Sequence, residues 1–360
     1  MPAIPPGTAD ASAITPQELR LAARNHGMPL EALAYDVTPL GLHYLLIHYD
    51  VPRVDPATWK LEVGGTVDRP LSLSLDDLRA RETVTSAMTF ECAGNGRALL
   101  DPRPLSQPWL HEAVGTGSWT GTPLAPLLEE AGVGDGAVEV LFSALDRGVE
   151  GDVEQWYERS LPLSDAMGDD VLLAWGLNGG PLPPQHGFPL RLVVPGWYGM
   201  TNVKWLSRIT LIEEPFGGYQ NARGYRMRQD ADDEGEPVTR MVVRALMVPP
   251  GIPDFATRRR IAKAEPQTLE GRAWSGFGAI EAVEVSTDAG ATWHPAPLAP
   301  EAGPYAWRHW TFEWRPEGPG EYELCCRATD AAGNRQPADE PWNLGGYSNN
   351  AVQRVRVTVS

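Results

Sequence analysis

The sequence predicts an α+β protein in which a mixed domain over residues 1–236 is followed by an all-β domain over residues 237–360. The chain of 360 residues is long enough for two hydrophobic cores. Its 34 prolines and 37 glycines favour a loop-rich, β-rich architecture. From Val238 onwards, short alternating stretches are separated by turn signals such as Asp288-Ala289-Gly290, which is the pattern of an antiparallel β-sandwich.

In the first part, Thr15-Pro16-Gln17-Glu18 predicts a helix start, and residues 1–16 predict an extended arm. A second helix is expected over residues 123–131 and a helical turn around Asp76. The predicted strands of this part cover residues 44–49, 60–67, 84–90, 138–144, 171–177 and 190–194. Those of the second part cover residues 241–248, 268–273, 282–287, 309–314, 320–329 and 351–359.

The composition argues against several partners. The net charge of −17 disfavours nucleic acid and anionic membrane surfaces. No apolar run is long enough to cross a bilayer, and residues 1–20 lack an export signal. A cytoplasmic location is therefore expected, or a periplasmic one if the N terminus has been trimmed. The three cysteines do not form a disulfide framework, and Cys325 and Cys326 are expected to face opposite sides of one strand.

One cysteine lies at the end of a predicted strand. An apolar run ends at Phe90, and two glycines and Asn95 then turn the chain after Cys92. The guanidinium of Arg97, five positions later, favours the thiolate form, which attacks electrophiles or binds a soft metal. The alternative is a buried cysteine that packs as a small hydrophobic residue.

Three basic side chains surround the apolar strand over residues 190–194. They are His186, Arg191 and Lys204. Cations beside a buried strand need an anionic partner, and a phosphate group would fit. The alternative is internal salt bridges to Glu213 or Glu214.

These stretches resemble one family. Glu91-Cys92-Ala93-Gly94-Asn95 resembles the molybdenum-binding signature of the sulfite oxidase family, which includes plant-type nitrate reductases. The segments over residues 186–191 and 203–206 resemble its His-Gly-Phe-Pro-x-Arg and Val-Lys-Trp-Leu blocks. One departure is Gly96, where most members carry the first of two arginines. The resemblance implies a molybdopterin-binding domain, an immunoglobulin-like dimerisation domain and a homodimer.

The resemblance also implies a set of site residues. Cys92 is expected to ligate molybdenum directly. Residues expected to contact the pterin cofactor or its phosphate are Arg24, Asn25, His26, Cys92, Asp146, His186, Arg191, Asn202 and Lys204. The catalytic anion pocket is expected to contain Arg24, Arg97, Trp109 and Tyr225, with Tyr219 as the competitor of Tyr225.

The implied reaction is oxygen-atom transfer on a molybdopterin-bound molybdenum. No haem is expected, because the sequence has no Cys-x-x-Cys-His attachment motif. The first hypothesis is oxidation of sulfite, a small anion, to sulfate, with electrons passed to an external acceptor. The alternatives are reduction of nitrate or a sulfoxide on the same cofactor, and a non-catalytic molybdopterin-binding protein. One feature weakens the sulfite hypothesis: Ala279 stands where animal and plant sulfite oxidases place a second-domain arginine in the pocket.

Overall fold

The computed structural model describes residues 14–360, so most of the predicted arm lies outside the described residues. The α-helices are few and short: α1 (Pro16–Arg24), α2 (Leu75–Arg79), α3 (Ala125–Ala131) and α4 (Leu163–Ala166). The first begins as predicted, because the Thr15 hydroxyl accepts a hydrogen bond from Glu18 N and the Glu18 carboxylate accepts one from Thr15 N. Single 3₁₀ or π turns lie at Leu30–Ala34, Leu40–Leu42, Arg97–Leu99, Pro184–His186, Gly199–Thr201 and Gln220–Gly224.

Strands make up most of the regular structure. The first ten are β1 (Leu61–Gly65), β2 (Leu71–Leu73), β3 (Val84–Glu91), β4 (Val114–Pro123), β5 (Glu139–Glu150), β6 (Val153–Pro162), β7 (Leu172–Leu177), β8 (Gly180–Pro181), β9 (Arg191–Val193) and β10 (Leu206–Ile212). They form two five-stranded sheets. One has the order β2-β1-β10-β5-β6, in which β1 and β10 are parallel. In the other, β3, β4 and β7 are adjacent, and both β8 and β9 pair with β7.

The remaining strands are β11 (Arg226–Met227), β12 (Glu236–Pro237), β13 (Arg244–Met247), β14 (Ile252–Pro253), β15 (Arg260–Ala262), β16 (Gln267–Trp274), β17 (Ile280–Ser286), β18 (His294–Ala296), β19 (Arg308–Trp314), β20 (Gly320–Asp330) and β21 (Gln353–Val359). β11 pairs with β12, so the predicted domain boundary falls inside a two-residue strand. The others form a three-stranded sheet, β13-β16-β19, and a six-stranded sheet, β14-β15-β21-β20-β17-β18. Side chains from both sheets share one hydrophobic core.

A separate apolar cluster joins the two halves of the chain. It contains Met28 and Ala93 from the first part and Leu246, Trp274 and Trp307 from the second. Burial of large aromatic rings is strongly favourable, so this cluster fixes the second part against the loop that follows β3. The second part therefore contributes directly to the surroundings of Cys92.

The structure confirms most of the predicted strands and corrects three points. Residues 44–49 are not a strand, because their pairing is limited to one isolated bridge between Leu45 and His26. β5 continues to Glu150 and does not end at Asp146. The second part is not wholly antiparallel, since β15 and β21 pair in parallel. Within residues 14–360, no helix has the length and apolar character needed to cross a membrane.

Candidate functional site

A cavity with an empty volume of about 680 Å³, counted to its open mouth, lies between the two sheets of the first part. Seven of the predicted site residues line it: Cys92, Asp146, His186, Arg191, Asn202, Lys204 and Tyr225. They come from distant parts of the chain, and the two sheets bring them to one place.

Cys92 follows the last residue of β3 and is 8% exposed. Its backbone N–H donates to Ala113 O at 2.9 Å, and its carbonyl accepts from Asn95 N at 2.9 Å, which closes the turn. Gly96 makes the turn feasible, because it adopts φ = 90°. Burial raises the pKa of the Cys92 thiol, although the Arg97 guanidinium, the Gly94 N–H and the Trp109 indole lower it. The effect of Arg97 expected from the sequence is present, but burial outweighs it.

Arg97 and Trp109 lie close to Cys92 but do not line the cavity. Arg97 Nε donates to Gly345 O at 2.8 Å and Nη1 donates to Gln107 O at 3.2 Å. Its guanidinium carbon lies 5.2 Å from the ring centre of Tyr347. Trp109 is buried, and its indole N–H makes no hydrogen bond to the described residues, although it lies close enough to Cys92 to favour the thiolate. Both side chains therefore lie near the Cys92 sulfur without lining the cavity.

The predicted contact segment at residues 24–26 does not line the cavity. Arg24 is exposed, and its Nη2 donates to Tyr49 O at 2.6 Å. The Asn25 side chain accepts from Ile47 N at 2.7 Å, and its amide nitrogen donates to Leu21 O and Gln107 Oε1. His26 is exposed and pairs through its backbone with Leu45. Arg24 is nevertheless close enough to lower the pKa of Lys204, and His26 lowers those of His43 and His186. The contact of Arg24, Asn25 and His26 with a bound cofactor or substrate therefore stays a prediction.

Residues 43–48 form that wall instead, and the sequence analysis did not assign them to the site. His43, Tyr44, Leu45, Leu46 and His48 all line the cavity. This stretch alternates aromatic, aliphatic and histidine residues. That pattern predicts a strand, so no role in the site was assigned to it. Two histidines spaced five residues apart among apolar side chains were the available signal.

Arg191 is buried and held from several directions. Its Nη1 donates to His186 O at 3.1 Å and its Nη2 donates to Asn202 O at 3.0 Å. The guanidinium lies 4.7 Å from the ring centre of Trp119 and 5.0 Å from that of Phe90. Burial lowers its pKa to about 10, so the group stays charged at neutral pH.

Lys204 lies near the cavity wall without a carboxylate ion pair among the described residues. Its Nζ donates to Leu46 O at 2.7 Å and to Gln185 O at 3.2 Å, and it lies 4.5 Å from the ring centre of Trp205. Burial and the charge of Arg191 together lower its pKa to about 7, against the opposing effect of Asp146. Neither Lys204 nor Arg191 forms the internal salt bridges to Glu213 or Glu214 that were the alternative, so a negatively charged group remains the missing partner.

Three further titratable groups line the cavity. Burial raises the pKa of Asp146 to about 6, while Lys204 and His48 oppose that rise. Burial lowers the pKa of His186 to about 2 and that of His43 to about 4, so both imidazoles are neutral at pH 7. His43 Nδ1 lies 3.0 Å from Tyr44 O, whereas the buried Nε2 has no hydrogen-bond partner within the described chain.

Tyr225 is buried and lines the cavity, whereas its competitor Tyr219 does not. Burial, reinforced by Tyr157 and Tyr347, raises the pKa of Tyr225 well above its usual value, so its phenol stays protonated and can donate. Its ring centre lies 5.3 Å from that of Tyr347, a residue of the second part that the sequence analysis did not assign.

The residues fit a cofactor that carries negative charge. Among the described residues, Lys204 and Arg191 form no ion pair with a carboxylate and His43 Nε2 has no hydrogen-bond partner, while Cys92 supplies a soft ligand. Within residues 14–360, no group of three or more His, Cys, Asp or Glu side chains is arranged to hold a metal ion. A metal beside Cys92 would therefore take its other ligands from a non-protein group such as molybdopterin.

Comparisons with known proteins agree with this arrangement. The family model of the oxidoreductase molybdopterin-binding domain matches residues 48–220, and that of the Mo-co oxidoreductase dimerisation domain matches residues 238–360. Mouse mitochondrial sulfite oxidase is 35% identical over 345 residues, which cover 90% of this chain and 62% of the mouse protein. The chain thus spans less than two thirds of that relative.

Three other relatives cover different shares. Chicken sulfite oxidase is 36% identical over 91% of this chain and 74% of its own length. Barley nitrate reductase [NAD(P)H] is 33% identical over 90% of this chain and 39% of its own length. The sulfane dehydrogenase SoxCD from Paracoccus pantotrophus has a similar structure, with a TM-score of 0.79 and 27% identity over 93% of this chain and 86% of that chain. Together, the two matched domains and these relatives show that the chain belongs to the sulfite oxidase family of molybdenum oxidoreductases.

Proposed function

We propose that this protein is a molybdenum-dependent oxidoreductase that oxidises sulfite to sulfate and passes two electrons to an external acceptor. The observation that carries the proposal is the position of Cys92 in the wall of a cavity whose nearby cations, Arg191 and Lys204, have no carboxylate ion pair among the described residues. The relatives named sulfite oxidase support the substrate. The balanced reaction consumes one water and releases two protons and two electrons for each sulfite.

The residues divide into those that would hold the cofactor and those that would hold the substrate. Cys92 would bind molybdenum, and Lys204, His186 and Asn202 would bind the pterin and its phosphate. When bound, the cofactor supplies the metal centre at which oxygen transfer takes place and which takes up two electrons. The soft thiolate of Cys92 suits a metal whose charge changes during turnover.

Tyr225 would orient the anion by a direct hydrogen bond, and Arg97 would act on it only through its charge. The Tyr225 phenol is protonated at neutral pH and can donate a hydrogen bond to a sulfite oxygen. Arg97 contributes a fixed positive charge behind the sulfur of Cys92. Asp146, with a pKa of about 6, has a carboxylate on the cavity wall that can accept a proton released in the reaction.

The second part of the proposal is a homodimer. The match of residues 238–360 to a dimerisation domain supports it. We further propose that this region is an immunoglobulin-like sandwich whose boundary with the first domain lies after residue 236, and two sheets that share one core support that assignment. Sedimentation at micromolar concentration tests the dimer: a two-fold assembly is expected, and a monomer would contradict it.

One experiment distinguishes sulfite oxidation from the alternatives, which are reduction of nitrate or a sulfoxide and a non-catalytic protein. Similarity to a nitrate reductase means that family membership alone does not choose between sulfite oxidation and nitrate reduction. Purified protein is analysed for molybdenum and then assayed with sulfite and an oxidised dye, and separately with nitrate or a sulfoxide and a reduced dye. Sulfite-dependent dye reduction is expected. Turnover of nitrate or a sulfoxide alone would replace the proposed substrate, and bound cofactor without any turnover would support a non-catalytic protein.

A further inference from the structure

Glu91, the residue before Cys92, has a carboxylate that is completely enclosed. Its side chain is 1% exposed. Oε1 accepts from Asn95 Nδ2 at 2.9 Å and from Arg244 Nη1 at 2.8 Å, and Oε2 accepts from Trp274 Nε1 at 2.8 Å. Arg244 and Trp274 belong to β13 and β16, so two of these three donors come from the second part of the chain.

Arg244 is equally enclosed, at 2% exposure of its side chain. Besides its ion pair with Glu91, its Nη2 lies 3.0 Å from His111 Nδ1 and its Nη1 lies 3.4 Å from Asn95 O. Burial, with the added charge of Arg244, lowers the pKa of His111 to about 3, so the imidazole is neutral and Nδ1 can accept. Glu91 and Arg244 therefore form a buried ion pair, in which Arg244 Nε is the one guanidinium nitrogen without a hydrogen-bond partner among the described residues.

This network ends on the turn that carries Cys92. Asn95 is the shared member, because its side chain donates to Glu91 and to His111 O at 3.2 Å and accepts from Ala113 N at 3.1 Å. Its backbone N–H donates to Cys92 O at 2.9 Å. Any movement of Glu91 or Arg244 is thus passed through Asn95 to the backbone of Cys92.

We propose that Glu91 and Arg244 form a positioning pair for Cys92, through which the second domain fixes the cysteine without touching the metal. The inference rests on the proposed role of Cys92 as metal ligand. Residues that hold a metal ligand in place affect metal retention about 10- to 100-fold when they are changed. A merely structural pair would alter folding stability but leave the chemistry of Cys92 unchanged.

The chain offers a matched control on the neighbouring strand. Arg272 in β16 is also a 2%-exposed arginine that joins the two parts, donating from Nε to Leu33 O at 2.7 Å and pairing with Asp36 at 2.9 Å. Within residues 14–360, no hydrogen bond or ion pair joins its side chain to residues 91–97. Arg244→Lys and Arg272→Lys both remove the contacts of a buried guanidinium while keeping the charge, but the carboxylate of Asp36 is exposed whereas that of Glu91 is buried. They differ in whether the cysteine turn is one of the partners.

The experiment uses the purified full-length protein and three readouts: molybdenum per chain, the rate at which iodoacetamide labels Cys92 by mass spectrometry, and the thermal midpoint. Both variants are expected to lose thermal stability. Only Arg244→Lys is expected to bind molybdenum more weakly, by about 10- to 100-fold, and to label Cys92 faster than the wild-type protein does. Equal Cys92 labelling and equal molybdenum content in the two variants would overturn the proposal.

A milder pair keeps the test decisive if Arg244→Lys does not fold. Trp274→Phe removes the N–H that Glu91 accepts, and Trp307→Phe removes a similar N–H that Asp36 O accepts at 2.8 Å. Faster labelling of Cys92 in Trp274→Phe alone supports the positioning role, and identical labelling in both contradicts it. Because labelling does not require turnover, a protein that retains molybdenum but ignores sulfite would reject the proposed function and leave this inference standing.

Discussion

Tyr225 of the first domain and Tyr347 of the second pack with their ring centres 5.3 Å apart beside the cavity. A guanidinium lies near each ring: Arg159 is 5.7 Å from the centre of Tyr225, and Arg97 is 5.2 Å from that of Tyr347. The second domain therefore contributes a phenol near the proposed substrate site. At the position where the family resemblance predicts a pocket arginine, this chain has Ala279, and that residue is exposed.

The first prediction concerns the two tyrosines near the π-helical turn. Tyr225→Phe should lower kcat/KM for sulfite about tenfold, because one hydrogen bond to a charged substrate is lost. Tyr219→Phe is the matched control, since Tyr219 does not line the cavity. Steady-state kinetics with a dye acceptor measures both, and an equal loss in the two variants would reject the assignment of Tyr225.

The second prediction concerns the arginines. Arg97→Lys should raise the KM for sulfite, because an ammonium group cannot reproduce the planar contacts to Gly345 and Gln107 that hold the positive charge beside Cys92. Ala279→Arg should leave KM unchanged, because the side chain at that position is exposed. Tighter sulfite binding in Ala279→Arg would show that the second domain can supply the arginine after all.

The third prediction distinguishes the roles of Lys204 and Arg191. Lys204→Gln should lower the molybdopterin content, because the ammonium group is the anion-binding candidate with a donor to spare. Arg191→Gln should mainly reduce thermal stability, because that guanidinium is held by two carbonyls and two aromatic rings. Arg208→Gln on the exposed face of β10 serves as the control. Cofactor analysis that finds full occupancy in Lys204→Gln would make Lys204 a structural residue.

The fourth prediction is a pH dependence. The pKa of Lys204 is lowered from 10.5 to about 7 in the folded chain, so between these values the unfolded chain binds more protons. Stability of cofactor-free protein should therefore rise with pH in this window, by at most about 1.4 kcal/mol per unit. Lys204→Met should remove that slope between pH 7 and 9.5.

Denaturant titrations at several pH values measure the difference between the two proteins. Bound anionic cofactor should raise the pKa of Lys204 again and flatten the slope in the wild-type protein. Identical slopes in cofactor-free wild-type and Lys204→Met protein would contradict the assignment.

The parts of the site that sequence reasoning found are those with local signals. Cys92 sits in a turn rich in glycine, and Arg191 and Lys204 interrupt an apolar segment, so each is visible within a few residues. The role of residues 43–48 was missed because a single bridge to His26 replaces the ladder that their alternation suggests.

Other parts depend on contacts that no local pattern encodes. Arg244 lies 153 residues from Glu91 in the sequence, and Gly345, whose carbonyl accepts from Arg97, lies 248 residues from that arginine. Nothing near Tyr347 in the sequence indicates that it meets Tyr225. Burial is another property that no local pattern encodes. Burial raises the pKa of Cys92, although Arg97, five residues away in the sequence, lowers it.

One measurement tests the central claim most directly: anaerobic addition of sulfite to molybdenum-loaded protein, followed by the absorbance of the metal centre, with Cys92→Ala as the comparison. The account predicts that sulfite reduces the wild-type centre by two electrons per molybdenum and yields one sulfate. It predicts that folded Cys92→Ala shows no turnover, because its thiolate ligand is gone. A loaded wild-type centre that sulfite does not reduce, or full activity in Cys92→Ala, would contradict the account.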